Sequence, residues 1–233
     1  LPVFNSTPRV SIEPDTPVDY DVDLGNGFLM RHGYTVVACG WQVDAPKKPA
    51  LLTLQGHNIS NMTGRVYTQL QAQEYTHNFL LSDKGHQAYP AADMVEAEAI
   101  LEVRDMPDTQ AYAVPRDDWR FGRIDDDGNY HSDPNYICSE EGFEKGRLYQ
   151  IAYTTDWMPI LGLSFAALRD SVSWLKYGSD GVERPIENIR HAYAYGISQT
   201  GRYLRTYIYN DFNRDESDRE ALDGIIANVA GGM

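Results

Sequence analysis

The sequence has few cysteines, no long apolar run and a deficit of positive charge. Its only cysteines are Cys39 and Cys138, and neither belongs to a cysteine–histidine cluster of the kind that binds zinc. No stretch approaches the roughly 18 consecutive apolar residues of a membrane-spanning helix. The 34 acidic and 20 basic residues give a formal net charge of -14, which repels the phosphate backbones of nucleic acids. We therefore expect no membrane span and no nucleic-acid partner, and nothing in the sequence requires a metal or another cofactor.

Internal repeats and low-complexity tracts are also absent from the sequence. Apolar residues make up 42% of the 233 residues and aromatic residues 12%, which is the composition of a folded globular protein. A chain of this length can form one substantial hydrophobic core with an inserted subdomain. We expect one decorated domain, along which changes of hydrophobic period separate three zones.

The first zone predicts a short helix followed by a strand. Residues 24–31 have the pattern of a helix, and Gly33 suits its left-handed end. Residues 34–40 form a continuous apolar run, which predicts a strand buried on both faces.

The second zone, residues 42–149, is rich in Pro, Gly, Asp and Asn and predicts a β-rich insertion subdomain. Its strand candidates are short and lie at residues 51–54, 65–71 and 100–104. Residues 125–129 read Asp-Asp-Asp-Gly-Asn and resemble the opening of a calcium loop, but the glycine is misplaced and Tyr136 stands where such a loop needs glutamate. An acidic hairpin turn around Asp127 and Gly128 is the favoured interpretation.

The third zone returns to alternating helices and strands. Residues 162–177 predict a helix that ends at Gly178, and residues 189–197 and 223–230 predict strands, the second of them buried. Another helix is expected over residues 199–212, and its apolar face comprises Tyr203, Leu204, Tyr207 and Ile208. This alternation predicts the α/β class, with a mostly parallel sheet and helices on both faces, formed by residues 1–41 and 150–233.

The turn that follows residues 189–197 carries the strongest chemical signal. Residues 196–201 read Gly-Ile-Ser-Gln-Thr-Gly, with small residues two before Ser198 and two and three after it. In a nucleophile elbow the chain bends from strand to helix within a few residues, and small neighbours relieve the crowding around a strained serine. Such a turn exposes Ser198 Oγ, and the N–H of Gln199 at the helix N-terminus can donate to a developing oxyanion. An ester is the natural substrate of this arrangement.

Two other interpretations fit the same residues. Gly196 and Gly201 are spaced as in a phosphate-binding P-loop, but that loop continues with Lys and Ser/Thr, where this chain has Arg and Tyr. Alternatively, Ser198 merely caps the helix. A second Gly-x-Ser-x-small pattern surrounds Ser164, but no buried strand precedes it, so Ser164 is expected to begin an ordinary helix.

These residues resemble a large, poorly characterised bacterial family of α/β-hydrolase-domain proteins. The similarity extends in order along nearly the whole chain, over Gly25-Asn-Gly-Phe-Leu-Met-Arg-His-Gly-Tyr-Thr-Val-Val37, Trp41, Thr63-Gly-Arg65, Trp119-Arg-Phe121, Gly142-Phe143, Gly146-Arg147, Phe165-Ala-Ala-Leu-Arg-Asp170, Gly196-Ile-Ser-Gln-Thr-Gly-Arg-Tyr-Leu-Arg205, and residues 210–219 and 223–232. The resemblance implies an α/β-hydrolase fold with residues 42–149 as an insertion, Ser198 as the nucleophile and Gln199 as the donor of one oxyanion amide. It also implies esterase-like chemistry and a second oxyanion amide from a loop that precedes Leu1.

The acid and the base of a catalytic triad are not apparent in the sequence. In this fold they follow the nucleophile, acid first and histidine second, yet no histidine follows Ser198. His191 is the nearest of the six histidines along the chain, but roughly 20 Å of strand separates it from Ser198. A polar loop or a strand start accounts for the four aspartates that follow the serine: Asp211, Asp215, Asp218 and Asp223. We therefore expect a fragment whose acid and histidine lie beyond Met233.

The sequence thus predicts a serine hydrolase that cleaves small carboxylic esters through an acyl-enzyme on Ser198. The alternative is a catalytically incomplete, hydrolase-like module that binds a ligand or partner through its aromatic insertion. That interpretation is based on the missing histidine and on six aromatic residues expected to be exposed: Tyr67, Tyr75, Tyr89, Trp119, Tyr130 and Tyr136. The sequence does not define the oligomeric state.

Overall fold

The computed structural model describes residues 26–46, 52–82, 86–179, 181–184 and 186–231. These residues divide into two compact units. Unit 1 contains Val43–Ile160 together with residues 26–28, and unit 2 contains Leu29–Gln42 together with residues 161–231.

Short strands and a few helices make up both units. In chain order the elements are α1 (Phe28–Arg31), β1 (Gly64–Gln71), β2 (Thr76–Leu80), β3 (Ile100–Arg104), β4 (Tyr112–Val114), a 3-10 turn (Arg116–Asp118), β5 (Arg120–Phe121), β6 (Arg123–Ile124), β7 (Tyr130–His131), β8 (Tyr136–Phe143), β9 (Leu148–Thr155), α2 (Leu163–Tyr177), β10 (Tyr193–Ile197), α3 (Gln199–Tyr209) and β11 (Gly224–Asn228). Strands β1 to β9 lie in unit 1, and α2, β10, α3 and β11 lie in unit 2.

Antiparallel strands build unit 1. One sheet has the order β1-β9-β3-β4, another has the order β2-β8-β5, and β6 pairs with β7. The strands predicted at residues 65–71 and 100–104 are confirmed as β1 and β3. Apolar side chains of the two larger sheets share one core, in which the rings of Phe121 and Tyr153 are 5.8 Å apart. Because Phe121 is fully buried, we estimate that its truncation to alanine costs about 3–5 kcal/mol of stability.

The acidic hairpin turn predicted around Asp127 and Gly128 is confirmed. Strand β6 pairs antiparallel with β7, and Gly128 adopts a φ of 83° in the turn between them. Asp125 accepts hydrogen bonds from the N–H groups of Asp127 and Asn129, and its Oδ2 lies 2.6 Å from Nε2 of His131. The hydrogen bond with His131 is the main cause that lowers the pKa of Asp125 to about 2. This carboxylate therefore organises the turn itself.

The prediction of a buried strand at residues 34–40 is wrong. These residues form no β-ladder, and the side chains of Tyr34, Val36 and Val37 are exposed. An extended segment forms a ladder only beside another strand, and no described strand pairs with it. Of the helix predicted just before it, α1 covers only the last turn, and Gly33 ends α1 with a φ of 79° as predicted. Residues 24–25 lie outside the described residues.

The strand predicted at residues 51–54 is also not observed. Residues 52–54 have no regular secondary structure, and Leu51 lies outside the described residues.

The helices of unit 2 agree with the predicted pattern more closely than its strands do. Helix α2 begins after Gly162 and ends at Gly178, whose φ of 79° stops it as predicted. Helix α3 is shorter than predicted because it ends at Tyr209. Its buried residues are Gly201, Tyr203, Leu204 and Tyr207. Ile208 is 48% exposed, contrary to the prediction, since it lies beside this stripe and not within it.

Both strands of unit 2 are shorter than predicted. Residues 189–192 do not belong to β10, because the N–H of Ala192 donates to the side chain of Asp223 at 2.7 Å and is thereby taken from a ladder. Strand β11 covers only Gly224–Asn228 of the predicted residues 223–230. It is not a fully buried strand, since Ile226 is 62% exposed.

A mostly parallel sheet with helices on both faces is not what the described residues form. Strands β10 and β11 pair in parallel, with Tyr193 opposite Gly224 and Ile197 opposite Asn228. All other strand pairings in the described part of the chain are antiparallel. A parallel sheet grows by crossover units, and the described residues contain one such unit, β10-α3-β11.

Candidate active site

Ser198 occupies the single residue between strand β10 and helix α3. Its φ of 54° and ψ of -112° are rare for any residue with a side chain. Such a conformation costs about 1–3 kcal/mol and persists only where the surroundings enforce it. The sharp bend predicted at this serine is therefore present in the backbone.

Gly196 and Gly201 allow the strand, the helix and β11 to approach one another closely. A Cβ atom on Gly196 would lie 2.6 Å from the carbonyl oxygen of Thr200. A Cβ atom on Gly201 would lie 2.9 Å from the carbonyl oxygen of Asn228. Since real Cβ atoms do not come this close to a backbone oxygen, a side chain at either position forces the backbone to move. The small residues of the motif thus have a steric cause.

Two backbone hydrogen bonds hold Ser198 in place. Its N–H donates to the carbonyl of Asn228 at 3.0 Å, and its own carbonyl accepts the N–H of Arg202 at 2.9 Å. The first bond joins the bend to the end of β11, and the second is the first bond of the α3 ladder. The backbone is therefore anchored on both sides of Ser198.

The side chain of Ser198 is exposed and makes no capping hydrogen bond to α3. The interpretation of Ser198 as a mere helix cap is therefore wrong, because a capping serine accepts a hydrogen bond from one of the first helical N–H groups. Its hydroxyl is presented to solvent at the carboxyl ends of β10 and β11.

Gln199 is the first residue of α3 and supplies a backbone donor beside this hydroxyl. The α3 ladder starts with the N–H of Arg202, so the N–H of Gln199 precedes it. Amides at a helix N-terminus carry the positive end of the helix dipole. Such a donor can stabilise negative charge that develops on an oxygen next to Ser198.

Sequence reasoning missed two contributors to this bend, Thr200 and Asn228. Thr200 Oγ1 accepts the N–H of Ile197 at 2.9 Å and donates to the carbonyl of Ile197 at 2.8 Å. Asn228 acts through its backbone carbonyl, which no sequence signal marks. For Thr200 a signal exists, because the Gly-x-Ser-x-Gly pattern has glycine where this chain has threonine.

His191 and Asp223 lie together at the opposite, amino-terminal ends of β10 and β11. Asp223 Oδ1 is 3.8 Å from His191 Nδ1, and its Oδ2 accepts hydrogen bonds from Lys176 Nζ at 2.9 Å and from the N–H of Ala192. Burial acts to raise the pKa of Asp223, but these two hydrogen bonds and the charge of Lys176 outweigh it and lower the pKa. This cluster holds the ends of the strands and is not placed at Ser198.

The other acids that follow Ser198 belong to the loop after α3. Asp215 accepts hydrogen bonds from Ser173 Oγ, from Arg219 Nε at 2.8 Å and from the N–H groups of Ser217 and Arg219. Burial opposes ionisation of Asp215, yet these hydrogen bonds hold its pKa far below the usual range. Asp211 and Asp218 adopt φ values of 58° and 59° in the turns of the same loop.

Ser164 is the second residue of α2 and is buried, with 4% of its surface exposed. Its carbonyl accepts the hydroxyl of Tyr203 at 2.8 Å, and the neighbouring ring of Phe165 stacks on Tyr203 with centroids 4.7 Å apart. Burial raises the pKa of Tyr203 to about 12, so this hydroxyl remains a donor. The prediction that Ser164 belongs to the start of an ordinary helix is confirmed.

The aromatic residues of unit 1 are less available than expected. Trp119 is 3% exposed and packs on Phe121 and under Arg116, so its expected exposure is wrong. Tyr67 and Tyr75 are exposed, at 64% and 57%, and Tyr130 is exposed at 39%. The hydroxyl of Tyr75 donates to Glu141 and that of Tyr130 to Phe121, so both tyrosines are held against the unit.

The described part of the chain has neither a cluster of metal-binding side chains nor a membrane-spanning helix. It contains no group of three or more histidine, cysteine, aspartate or glutamate side chains that could hold a metal ion. None of its helices has both the length and the apolar character needed to cross a bilayer.

Strand β10, the bend at Ser198, helix α3 and the parallel strand β11 together form a unit typical of α/β proteins. Residues 129–233 match the model of a family described as an alpha/beta hydrolase domain. This match spans a little under half of the 233 residues and includes the whole β10-α3-β11 unit. The resemblance to an α/β-hydrolase-domain family is thereby confirmed for this part of the chain. No curated protein and no solved structure matches the chain.

Proposed function

We propose that the protein is a serine hydrolase that cleaves carboxylic esters of small molecules, with Ser198 as its nucleophile. The observation that carries this proposal is the enforced backbone of Ser198, with a φ of 54° and an exposed hydroxyl at the N-terminus of α3. A strained serine at a strand-to-helix turn is the geometry that hydrolases of the α/β type use for nucleophilic attack. The hydrolase-like family match over residues 129–233 supports the same class of activity.

In the proposed reaction, Ser198 Oγ attacks the ester carbonyl carbon and a general base takes the hydroxyl proton. The N–H of Gln199 donates to the oxyanion of the tetrahedral intermediate. The bond to the alcohol oxygen then breaks, the alcohol leaves with the proton, and an acyl group remains on Ser198. Attack by water on this acyl-enzyme releases the acid and restores the serine.

We further propose that His191 and Asp223 are not the base and the acid of this reaction. Neither His191 nor Asp223 is placed for the task, because both lie at the amino-terminal ends of the strands whose carboxyl ends flank Ser198. In α/β hydrolases the acid and the histidine follow the nucleophile on later loops. We propose that β10 and β11 belong to a larger sheet that is mostly parallel.

The domain organisation that we propose has residues 42–149 inserted into a core of residues 1–41 and 150–233. The compact unit Val43–Ile160 supports an insertion that begins at this point of the chain. Because strand β9 pairs with β1 and β3, the inserted unit continues for several residues beyond Tyr149.

Hydrolysis of p-nitrophenyl esters by the full-length gene product tests this function. We expect Ser198→Ala to lower kcat/KM by about 1000-fold or more, since removal of the nucleophile leaves only binding and oxyanion stabilisation. Ser164→Ala is the matched control, because Ser164 lies in a similar short pattern but is buried in α2. We expect this control to hydrolyse the esters at the wild-type rate.

Two results would refute the proposal. The first is ester hydrolysis that persists unchanged in Ser198→Ala. The second is no hydrolysis of acyl esters of any chain length by a full-length protein that is shown to be folded.

A further inference from the structure

Thr200 makes a pair of hydrogen bonds that the reaction proposed for Ser198 does not itself require. Its Oγ1 accepts the N–H of Ile197 at 2.9 Å and donates to the carbonyl of the same residue at 2.8 Å. A threonine hydroxyl has one proton to donate and lone pairs to accept, so both bonds form at once. The side chain of Thr200, the second residue of α3, is therefore hydrogen-bonded to Ile197, the last residue of β10.

Because β11 lies on only one side of β10, the backbone groups of Ile197 need a hydrogen-bond partner on the other side. The N–H of Ser198 donates to Asn228 and so points towards β11. Because successive backbone groups of a strand point to opposite edges, the N–H and carbonyl of Ile197 point away from β11. No described strand lies on that edge of β10. The hydroxyl of Thr200 takes the place of a neighbouring strand at this point.

One of the two bonds, the one to the carbonyl of Ile197, acts directly on the peptide that joins Ile197 to Ser198. The carbonyl of Ile197 belongs to this peptide, and its orientation determines the φ of Ser198. On the other side, the N–H of the same peptide is held by Asn228. The peptide is thus fixed at both of its polar groups, one by a side chain and one by β11.

We propose that Thr200 is a positioning residue for the Ser198 nucleophile, and this inference rests on the proposed function. Its hydroxyl holds the Ile197–Ser198 peptide so that Ser198 keeps its strained conformation and its Oγ stays aligned for attack. Glycine, which the Gly-x-Ser-x-Gly pattern has at this position, lacks a hydroxyl and could not do so. Misalignment of a nucleophile by about 1 Å can cost on the order of 100-fold in rate.

The rate of covalent labelling by a fluorophosphonate probe tests the proposal in the full-length protein. In this reaction Ser198 Oγ forms a bond to phosphorus, fluoride leaves, and the hydroxyl proton passes to the base. We expect Thr200→Val, which keeps the shape but removes the hydroxyl, to lower the second-order labelling rate constant about tenfold or more. Thr200→Ser, which keeps the hydroxyl, is expected to label within about threefold of wild type.

Thr206→Val is the matched control for the loss of a threonine hydrogen bond in the same helix. Thr206 Oγ1 donates to the carbonyl of Arg202 at 3.0 Å, whereas the side chain that bonds to the backbone of Ile197 is that of Thr200. We expect this variant to label at the wild-type rate. All rates are measured well below the melting temperature of each variant, and Thr200→Ala replaces Thr200→Val if the valine variant does not fold.

Slow labelling of the hydroxyl-free variant together with rescue by Thr200→Ser supports the proposal. Wild-type labelling of Thr200→Val, or equally slow labelling of Thr200→Ser and Thr200→Val, overturns it and leaves the proposed function standing. Absence of labelling at Ser198 in the wild-type protein overturns both.

Discussion

The N–H of Ser198 donates to the carbonyl of Asn228 at 3.0 Å, and this hydrogen bond ties the bend before α3 to the end of β11. It is the last contact of a parallel pairing that begins with Tyr193 opposite Gly224. Since Gly201 also packs against the carbonyl of Asn228, strand, bend and helix meet at one backbone oxygen. The nucleophile that we propose is therefore held by the sheet and not by a mobile loop.

Replacement of Ser198 by glycine should stabilise the protein while it removes the nucleophile. Glycine adopts a φ of 54° without the steric cost that a Cβ atom incurs. We expect Ser198→Gly to raise the free energy of unfolding by about 1–2 kcal/mol in urea titrations. Ser198→Ala keeps the Cβ atom and should unfold like the wild type. Equal stability of the glycine and alanine variants would show that the bend is not strained.

Alanine at Gly201 should be destabilising even though Gly201 lies inside a helix. A change from glycine to alanine in a helix interior usually stabilises by about 0.5–1 kcal/mol. Here the new methyl group would lie 2.9 Å from the carbonyl of Asn228 and 3.2 Å from Cα of Ala230. We expect a loss of about 1–3 kcal/mol, measured by urea unfolding.

The control for this change is Gly162→Ala. Gly162 precedes α2 with a φ of -66°, and an added Cβ atom would meet nothing within 4 Å. We expect no loss of stability from it. A Gly201→Ala protein as stable as the Gly162→Ala protein would contradict the close packing of α3 on β11.

Lys176 should contribute strongly to the stability of unit 2. Its side chain is only 5% exposed and donates to the carbonyls of Glu220 and Ala221 and to Asp223 Oδ2. Lys176→Met keeps the aliphatic chain but removes the lysine donor from all three acceptors, of which Glu220 keeps the hydroxyl of Tyr177 and Asp223 Oδ2 keeps the N–H of Ala192. We expect a loss of about 1.5–3 kcal/mol in urea unfolding, with fluorophosphonate labelling of the folded protein unchanged.

Lys145→Met serves as the comparison, since Lys145 is exposed in the turn between β8 and β9. It should change stability by less than about 0.5 kcal/mol. Equal effects of the two lysine substitutions would refute the structural role of Lys176.

The bend at Ser198 was predictable because its steric requirements leave a mark within one short segment. Gly196 must be small because of Thr200, four residues later, and Gly201 must be small because of the carbonyl of Asn228, and glycine occupies both positions. Helix α2 was predictable for the same reason, since its apolar period and the glycines at both ends act within the segment. The class of protein followed from these local signals and from the resemblance, and the family match confirmed it for residues 129–233.

Features that depend on partners distant in sequence were not predictable. The apolar run at residues 34–40 has the composition of a buried strand, but composition does not supply the neighbouring strand that a ladder needs. Trp119 stands among polar residues and looked exposed, yet it is buried in the core that the two larger sheets of unit 1 share. The departure from the Gly-x-Ser-x-Gly pattern marks Thr200, but its role depends on which edge of β10 faces β11, and no pattern in the sequence gives that edge.

The pKa of Asp125 should depend on His131. Their hydrogen bond is the main cause that lowers the pKa of Asp125 from an ordinary value of 3.8 to about 2. A carboxyl group with a lowered pKa in the folded state stabilises the fold above its unfolded pKa, and this contribution is lost as the pH falls towards 2. We expect His131→Ala to raise the pKa of Asp125 towards 3.8, measured by carboxyl carbon NMR titration.

His77→Ala is the control for this titration. His77 forms its hydrogen bond with the carbonyl of Ser139 and is not a partner of Asp125. Its removal should leave the pKa of Asp125 at the wild-type value. An unchanged pKa in His131→Ala would refute the assignment of the shift to His131.

The most direct test of the account is to locate the site of fluorophosphonate attachment by mass spectrometry of the full-length protein. We expect the probe mass on the tryptic peptide of residues 191–202, with fragment ions that assign it to Ser198, the only serine of that peptide. We also expect no adduct on the peptide of residues 148–169, which contains Ser164. Attachment to Ser164 or to any residue other than Ser198, or labelling that survives in Ser198→Ala, would contradict the account.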